Sequence, residues 1–585
     1  MKFTIRIFFM FVIALTSILS SCKDDFFQRP IGATTTIDSV FSTSLKAQAA
    51  IASAYAVVTH QGLTTGWDGS NYAGLNQGTI DNHSGCLLTS FSWDDGYQIA
   101  VNSGMVANNG STNDNNARSD DSYAFNFTAI RQCYQVIQNI DNVTDMTASD
   151  KEIVKAEMKT LIAYRYTQMF TIYGGVPIVE KAYSATDKIT GERANLTVTL
   201  NFIKKLCDEA AAVLPPTWEP KWNGRVTKCV ALAIKAKALL FAARPLFNSA
   251  TPYLNLGNHN DLICFNNVDP QRWIDARDAN LAVLAEAATA GIQIINTGNP
   301  LDDYGNATST PGNKELIWVF KKQYDSYADA FSTTYLIRPK SNFASALMRL
   351  SYFYLKQYKT ATGSDQVWAA SGNYPYSDYQ TKMNAMEPRF KASFYAFGID
   401  CWGNPNDNNW KSNNLFGDVY NNTICASTKF YYKAGTRTWF ELPLFRLAAN
   451  YLALAESYNE SGDATNALTY LNVIRSRAGL PAETETDQIK LRAIIIREWA
   501  VEMFLEQVWL QSEKHWKLAN IGTEIIGGPI KTFKQNYKAA TGLASDFTSY
   551  DVVVAYNGYW NVRQFLNPFP QNEINKGSII QNPGY

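Results

Sequence analysis

The stretch that decides the fold is "FRLAANYLALAESYNESGDATNALTYLNVIRSRAGLP", residues Phe445 to Pro481. Apolar residues recur at helical spacing from Leu444 to Tyr458, and again from Ala467 to Ala478. The turn residues Gly462-Asp463 separate the two stripes, and Gly479 is a predicted C-cap. The pattern predicts a hairpin of two antiparallel helices, each with one apolar face.

Similar periodicity outside the hairpin predicts a mostly helical chain. A Ser-x-x-Glu capping box at Ser149 predicts a helix start there, and a strand is predicted from Glu315 to Tyr324. The other predicted helices span 42–58, 201–214, 226–243, 273–290 and 487–518. Gly- and Asn-rich loops fill most of 59–126 and much of 292–435. The predicted fold class is mostly α, with a tetratricopeptide-like helix-pair scaffold, loop-rich insertions and a few short strands.

Glu498, Glu502 and Glu506 follow one another at intervals of four in the last predicted long helix. Like charges at this spacing destabilise a bare helix, so the cluster requires an explanation. One interpretation is a catalytic carboxylate cluster. The favoured one is structural, with neutralisation by arginines among Arg446, Arg475, Arg477 and Arg497.

The N-terminus has the pattern of a secretory signal, residues 1–21. Lys2 and Arg6 precede an apolar run of 13 residues, shorter than the roughly 20 that span a bilayer. Leu19-Ser20-Ser21-Cys22 then resembles a bacterial lipobox, which predicts that Cys22 is the acylated first residue of a lipid-anchored protein. The alternative is an ordinary cleavage site with a cysteine nearby by chance.

Composition narrows the function classes. Apolar residues make up 46% of the 585 residues and the formal net charge is zero, so the chain can bury a large core and shows no basic surplus for nucleic acid. Only four histidines are present and no cysteine pair has zinc-site spacing, so no metal site is predicted. Seven cysteines remain after Cys22, an odd number that leaves at least one unpaired. A structural calcium ion is compatible with the sequence, although no motif supports one; no other cofactor is expected.

Six segments, in order along the chain, resemble the SusD/RagB family of surface glycan-binding lipoproteins of Bacteroidetes. They are "CKDDFFQRP" from Cys22, "LIAYRYTQMFTIYGGVPIV" from Leu161, "GRVTKCVALAIKAKALLFAARPLFN" from Gly224, the hairpin quoted above, "REWAVEMFLEQVWLQSEKHWKL" from Arg497, and the ending "FPQNEINKGSIIQNPGY". The chain departs from the family after Glu506, where Gln507 replaces the usual Gly, and at His515, where the family usually has Arg.

The resemblance implies a single SusD-like domain over 22–585, with an N-terminal part to about 290 and a C-terminal RagB/SusD part from about 291. It implies a protein that is not an enzyme, binds oligosaccharide or polysaccharide at the cell surface, and acts as the extracellular lid of a SusC-like TonB-dependent outer-membrane transporter. Lys23-Asp24-Asp25 resembles the acidic signal that sends such lipoproteins to the outer face of the outer membrane.

Aromatic residues in polar loops are the candidate sugar contacts, because indole and phenol rings offer flat faces to sugar rings and Asn or Asp bind hydroxyls. Two N-terminal loops and the region after the predicted strand supply them. The candidates are Trp67, Asp68, Asn71, Trp93, Asp94, Tyr97, Tyr324, Tyr327 and Trp368. Trp368 is a weaker candidate than the others, as are Tyr374, Trp402 and Trp410, whereas Trp499, Trp509 and Trp516 are predicted to pack in the core or at a partner interface.

Two other functions fit parts of the sequence. A surface glycoside hydrolase would need two carboxylates flanking a cleft, and Asp68, Asp94 and Asp95 are available for that role. A tetratricopeptide-like scaffold for protein partners would leave the aromatic, Asn-rich loops unexplained. No serine-hydrolase, zinc-protease or phosphate-loop motif is present in the chain.

Overall fold

The computed structural model describes residues 36–59, 84–88, 100–101, 107, 123–184, 186–187, 191–323, 349–396, 399–402, 426–427, 429–433, 438–506, 508–518, 526–538 and 547–585. This part of the chain is mainly helical with a few short strands, which confirms the predicted fold class.

The described helices cover the N-terminal half and the C-terminal hairpin region. In chain order they are α1 (Ile37–Val40), α2 (Ser44–Thr59), α3 (Tyr123–Asn139), α4 (Ala148–Tyr173), α5 (Leu196–Ala211), α6 (Lys228–Ala243), α7 (Gln271–Thr289), α8 (Pro300–Ser309), α9 (Tyr352–Leu355), α10 (Tyr376–Ala385), α11 (Pro388–Ser393), α12 (Leu447–Glu460), α13 (Ala464–Arg477), α14 (Gln488–Glu502), α15 (Trp509–His515) and α16 (Gln571–Ile574).

The described strands form three small antiparallel sheets. They are β1 (Leu87–Leu88), β2 (Leu316–Gln323), β3 (Arg349–Leu350), β4 (Gly372–Pro375), β5 (Phe394–Tyr395), β6 (Ala426–Ser427), β7 (Trp439–Arg446), β8 (Pro529–Tyr537) and β9 (Phe547–Asn557). The first sheet has the order β1-β3-β6-β5, the second pairs β2 with β7, and the third has the order β4-β9-β8.

The long helices stack side by side in chain order. Helix α3 packs on α4, α4 on α5, α5 on α6 and α6 on α7. The row continues from α7 directly to α12, which pairs with α13 and also contacts α14. Residues 290–446 are therefore an insertion between two neighbouring helices of the scaffold, and this insertion holds most of the short strands.

The predicted hairpin is present as α12 and α13. Asp463 caps α13 by accepting a hydrogen bond from the backbone N–H of Asn466 at 3.0 Å. Gly479 ends the hairpin at φ +73°, as predicted for a C-cap glycine. A Cβ at this position would lie 2.7 Å from Pro300 Cγ, so the close approach of α8 also requires glycine.

Three sequence-based predictions about helices were wrong. Helix α3 was not predicted, since its first residues fall in the predicted loop region 59–126 and no element was predicted for the rest. Ala129, Ile130 and Cys133 nevertheless lie buried on one of its faces. Helix α4 begins after Thr147, which accepts from the backbone N–H of Asp150, so the capping box at Ser149 does not form. The predicted helix 487–518 is two helices, α14 and α15, with Leu505 between them at φ +56°.

The break after α14 is stabilised by side chains that bind its last carbonyl groups. The hydroxyl of Tyr304 donates to the carbonyl of Glu502 at 3.0 Å, and Nη2 of Arg446 donates to the same oxygen at 3.0 Å. These contacts replace the intrahelical bonds that a continuous helix would have made.

A buried network of opposite charges lies where the hairpin meets the insertion. It contains five carboxylates and five cations, and each residue is at most 7% exposed. The carboxylates belong to Glu315, Glu387, Glu498, Glu502 and Glu506, and the cations to Arg389, Lys429, Arg446, Arg475 and Arg477. Equal numbers of opposite charges offset the cost of burying each one.

Glu502 lies at the centre of the network. Its carboxylate contacts Arg446 at 2.7 Å, Arg389 at 3.4 Å, and Arg477. Arg446, at the end of β7, reaches on to Glu315 at 2.6 Å and to Glu506 at 2.7 Å. The network therefore joins α14 to the β2–β7 sheet and, through Arg389, to α11.

The structural interpretation of the three spaced glutamates is confirmed. Arg446, Arg475 and Arg477 are partners as predicted, but Arg497 instead binds Asp365 and the backbone carbonyl of Gln357. Arg389 and Lys429 were missed because they lie far away in sequence, where no local spacing connects them to α14.

Six of the seven cysteines that follow Cys22 lie in the described part of the chain. Cys86, Cys133, Cys207, Cys229, Cys264 and Cys401 are all buried and form no disulfide. Burial raises the pKa of the Cys133 thiol to about 12, which keeps it protonated and unreactive at neutral pH. These residues act as small apolar core side chains.

Replacing Glu502 by Gln is expected to destabilise the fold by about 3 to 5 kcal/mol, because it leaves buried arginines without a full counter-charge. Chemical denaturation followed by circular dichroism would measure the loss. Glu152→Gln, at an exposed ion pair on α4, serves as the control and is expected to change stability by less than about 1 kcal/mol. Equal effects of the two substitutions would contradict the central role of Glu502.

The network also predicts acid sensitivity. Burial opposes ionisation of Glu502, but Arg477, Arg446 and Arg389 outweigh it and lower its pKa to about 2. The unfolded chain therefore takes up this proton at higher pH than the folded chain. The contribution to stability is complete above about pH 4.5 and is lost as the pH falls towards 2, with a magnitude of about 3 kcal/mol. Denaturation midpoints at several pH values would measure the slope, which Glu502→Gln is expected to reduce.

Candidate functional site

Most of the predicted sugar-contact residues lie outside the described residues. These are Trp67, Asp68, Asn71, Trp93, Asp94, Tyr97, Tyr324 and Tyr327. The proposed anchor Cys22 and the weaker candidate Trp410 also lie outside them. Their roles stay predictions. Trp368 is described, and so are the chain positions that border the segments carrying Trp93 and Tyr327.

The described borders of these two segments lie next to each other. Strand β1 ends just before segment 89–99, and strand β3 begins just after segment 324–348. The two strands pair, with Leu87 opposite Leu350 and Leu88 opposite Arg349. At the other end of segment 89–99, the backbone N–H of Tyr559 donates to the carbonyl of Ala100 at 2.7 Å. The fold thus brings one border of each segment to the same small sheet.

Trp368 lies close to this sheet through Tyr352, the second residue after β3. The Tyr352 ring packs edge-on against Trp368 with 6.1 Å between ring centroids, and its hydroxyl donates to the carbonyl of Ala369. A second aromatic neighbour of Trp368 is Phe533 of β8, with 6.0 Å between the two ring centroids. The indole N–H of Trp368 is buried and finds no acceptor in the described part of the chain.

Charged and polar groups surround the Trp368 ring. Nζ of Lys382 lies 5.3 Å from the Trp368 ring centroid and 5.6 Å from that of Tyr374. Lys382 also pairs with Asp378 at 3.0 Å, and the Tyr550 hydroxyl donates to Asp378 at 2.5 Å. These five side chains, Trp368, Tyr374, Asp378, Lys382 and Tyr550, are named here the Trp368 cluster.

The central strand β9 of the β4-β9-β8 sheet carries a carboxylate held by two amides. Nδ2 of Asn536 donates to Asp551 at 3.0 Å, and Nδ2 of Asn373 donates at 2.8 Å. These hydrogen bonds lower the pKa of Asp551, so it is ionised at neutral pH. Asp551 and its two amides lie on the opposite face of the sheet from Tyr374 and Tyr550, because consecutive strand residues point to opposite faces. In the Trp368 cluster itself, rings, a lysine and a carboxylate form the mixture that binds a sugar ring and its hydroxyls. The lowered pKa suits Asp551 poorly to the general-acid role that glycoside hydrolysis requires.

The tryptophans of the last long-helix region pack inside the protein. Trp499 and Trp509 are each 4% exposed, and Trp516 stacks on Trp273 with ring centroids 5.8 Å apart. The core part of the prediction is confirmed for Trp499 and Trp509, whereas Trp516 is partly exposed and packs against the core. The weaker sugar candidate Trp402 was wrong, because it is buried and its indole N–H donates to the carbonyl of Tyr431 at 2.9 Å.

Sequence reasoning missed Asp378 and Lys382. It assigned their surroundings to a Tyr-rich loop, whereas Gly372–Pro375 is a strand and Tyr376–Ala385 is a helix. The i,i+4 spacing of Asp378 and Lys382 was the available signal, since such pairs share a helix face.

Two further findings concern the described residues as a whole. None of their helices is long and apolar enough to cross a membrane. No group of His, Cys, Asp and Glu side chains among them is arranged to hold a metal ion.

Comparison with known families identifies the class of protein. Residues 314–585 match the family model described as the SusD family, and residues 75–240 match a second model, described as starch-binding associating with outer membrane. The two ranges do not overlap and together cover well over half of the chain. The chain belongs to the SusD family.

Solved structures share the fold at low sequence identity. A SusD-like protein from Bacteroides fragilis aligns over 95% of this chain and 100% of its own, with a TM-score of 0.71 and 19% identity. A SusD-like carbohydrate binding protein, also from Bacteroides fragilis, aligns over 92% of this chain and 98% of its own, with a TM-score of 0.66 and 16% identity. A SusD-like carbohydrate binding protein from Bacteroides vulgatus gives 92% and 98% coverage, a TM-score of 0.59 and 14% identity. No curated protein matches the chain significantly.

Proposed function

We propose that this protein binds oligosaccharide or polysaccharide at the outer cell surface and delivers it to a SusC-like TonB-dependent transporter, for which it forms the extracellular lid. In this proposal Cys22 carries the lipid anchor, and Lys23-Asp24-Asp25 directs the protein to the outer face of the outer membrane. The polypeptide from 22 to 585 acts as one SusD-like domain.

The pairing of β1 with β3 beside Trp368 is the observation that carries the glycan-binding proposal. It fixes the borders of the segments that hold Trp93 and Tyr327 next to a described aromatic residue. Lys382 lies over that ring and pairs with Asp378, and the two side chains offer donors and acceptors for hydroxyl groups. Rings and polar groups in this combination suit a carbohydrate better than a protein helix.

The transporter and membrane parts of the proposal rest on other support. Two matched structures carry the description carbohydrate binding protein, and the N-terminal family model names an association with the outer membrane. The lipobox-like sequence before Cys22 supports a tether. Sugar bound beside the loops would then be close to the membrane in which a transporter lies.

The proposed role is binding without catalysis. The spaced glutamates that first suggested a catalytic cluster are enclosed in the charge network, at most 7% exposed, where no polysaccharide reaches them. The low pKa of Glu502 further removes it from general-acid chemistry.

The protein without residues 1–22 is expected to be retarded in native gels that contain its polysaccharide and to release no reducing ends from it. Trp93→Ala is expected to weaken binding at least tenfold, about 1.4 kcal/mol, by removing a stacking face. Affinity electrophoresis against a polysaccharide panel, with a reducing-sugar assay on the same mixtures, measures both properties.

Tyr183→Ala is the matched control, since it removes a partly exposed aromatic ring that lies against Lys181 in the N-terminal part of the chain. It should leave retardation unchanged. New reducing ends would contradict the binding-only role. Failure of every polysaccharide to retard the protein would favour a scaffold for protein partners.

A further inference from the structure

A second groove lies on the helical side of the molecule. It consists of two adjoining clefts with volumes of about 360 and 460 Å³. Their lining comes from α2, the segment 216–227 and strand β2, and in the first cleft also from four residues between 290 and 313 and from Glu441 of β7. None of it belongs to the Trp368 cluster. Both volumes fall in the range of small-molecule sites. The clefts share one wall, formed by Asn223, Gly224, Arg225, Trp318, Val319 and Lys321. This groove is named the Arg225 groove.

Two partly exposed indoles hold Arg225 in place. Its guanidinium carbon lies 4.8 Å from the Trp222 ring centroid and 5.0 Å from the Trp218 centroid. Nε pairs with Glu157 at 2.9 Å, and Nη2 reaches Oε1 of Gln48 at 3.4 Å. A fixed guanidinium beside aromatic faces is a preorganised site for a ligand that has both a ring and an anionic group.

The shared wall offers hydrogen-bond donors in excess. Nη1 of Arg225 and Nδ2 of Asn223 have no acceptor among the described residues, because Asn223 uses only its Oδ1, on Lys321 at 3.4 Å. Lys321 pairs with Glu441 at 2.9 Å and keeps a third proton. Trp318 also lines both clefts, and its buried indole N–H has no acceptor in the described part of the chain. Glu441 also lines the first cleft, where its carboxylate binds Lys321 and the backbone N–H of Gly312.

A glycine at position 224 allows the Lys321 side chain to pass close to the backbone of the wall. Gly224 adopts φ +101°, and a Cβ there would lie 3.3 Å from Cδ of Lys321. The backbone turn therefore lets the lysine stem pass across Gly224 and brings its ammonium to the same wall as Arg225.

The charge of Arg225 is only partly balanced at neutral pH. Its partner Glu157 is buried between α4 and α2, where it also accepts from the Tyr55 hydroxyl at 2.5 Å. Burial raises the pKa of Glu157 to about 7, against the opposing effect of Arg225 and Tyr55. An additional anion near Arg225 would therefore meet net positive charge.

We propose that the Arg225 groove is a second ligand site that binds an acidic saccharide, with a uronate carboxylate on Arg225 and Asn223 and a sugar ring against Trp222. An ionised carboxylate only accepts hydrogen bonds, so it matches the remaining donors of Arg225 and Asn223. A neutral sugar hydroxyl would not neutralise the remaining charge of Arg225. This site goes beyond the proposed function, which concerns the loop-bordered face.

Oligogalacturonate, oligoguluronate and a chondroitin oligosaccharide are the probes, titrated calorimetrically into the protein without residues 1–22. At least one is expected to bind with a Kd below 10 mM, and its methyl ester, which lacks the charge, is expected to bind at least tenfold more weakly. Trp222→Ala is expected to weaken binding at least tenfold. Arg225→Lys, which keeps a cation near Glu157 but loses the planar fork, is expected to do the same.

Tyr183→Ala is the matched control, because it removes a partly exposed ring that lines neither cleft, and it should leave uronate binding in the groove unchanged. The proposal is overturned if none of the three probes binds below 10 mM, or if binding survives Trp222→Ala. If uridine monophosphate bound as tightly as the uronate probes, the groove would be a site for aromatic anions in general, and the proposal of an acidic saccharide would be overturned. Either result leaves retardation by polysaccharide and its dependence on Trp93 untouched, so the failure of this site is distinguishable from failure of the proposed function.

Discussion

The contact between Glu502 and the arginines around it is the constraint on which the rest of the structure depends. A carboxylate with no exposed surface is tolerated only because Arg446, Arg477 and Arg389 surround it. These arginines come from β7, α13 and α11, which are far apart in sequence. One ionic centre therefore sets the relative positions of the helical hairpin and the insertion that carries the loops.

The network has direct consequences for the candidate glycan-binding face. Strand β2 begins next to Glu315 and ends at Gln323, immediately before the segment that holds Tyr324 and Tyr327. Tyr354, in α9 just after β3, donates its hydroxyl to the last turn of α14 at Ala500. The charge network and this hydrogen bond thus tie both chain borders of segment 324–348 to the helical scaffold.

The sequence predicted the parts of this fold that depend on local pattern. The hairpin, its Asp463 turn and its Gly479 cap follow from residues within 40 positions of one another. The arginine partners on the hairpin were also accessible, because they lie on the helix next to the glutamates. Helix α3 was hidden by its polar composition, since its apolar face is narrow and follows an Asn-rich stretch.

Long-range features could not be predicted from local sequence patterns. Arg389 and Lys429 meet the network only through tertiary folding, and the break after Glu502 depends on Tyr304, about 200 residues away. Candidate site residues followed composition, which proposed Trp368 but not Lys382, which lies over its ring, or Asp378, which pairs with Lys382. It also proposed Trp402, which its neighbours bury. Whether an aromatic residue is exposed is decided by packing, and single-sequence patterns do not contain that information.

The most direct test of the account is amide hydrogen exchange of the protein without residues 1–22, with and without a polysaccharide that retards it. The account predicts that the sugar slows exchange in segments 89–99 and 324–348 and around Trp368, while α12 and α13 exchange equally in both states. Protection confined to α12 and α13, with none in the two loop segments, would contradict it.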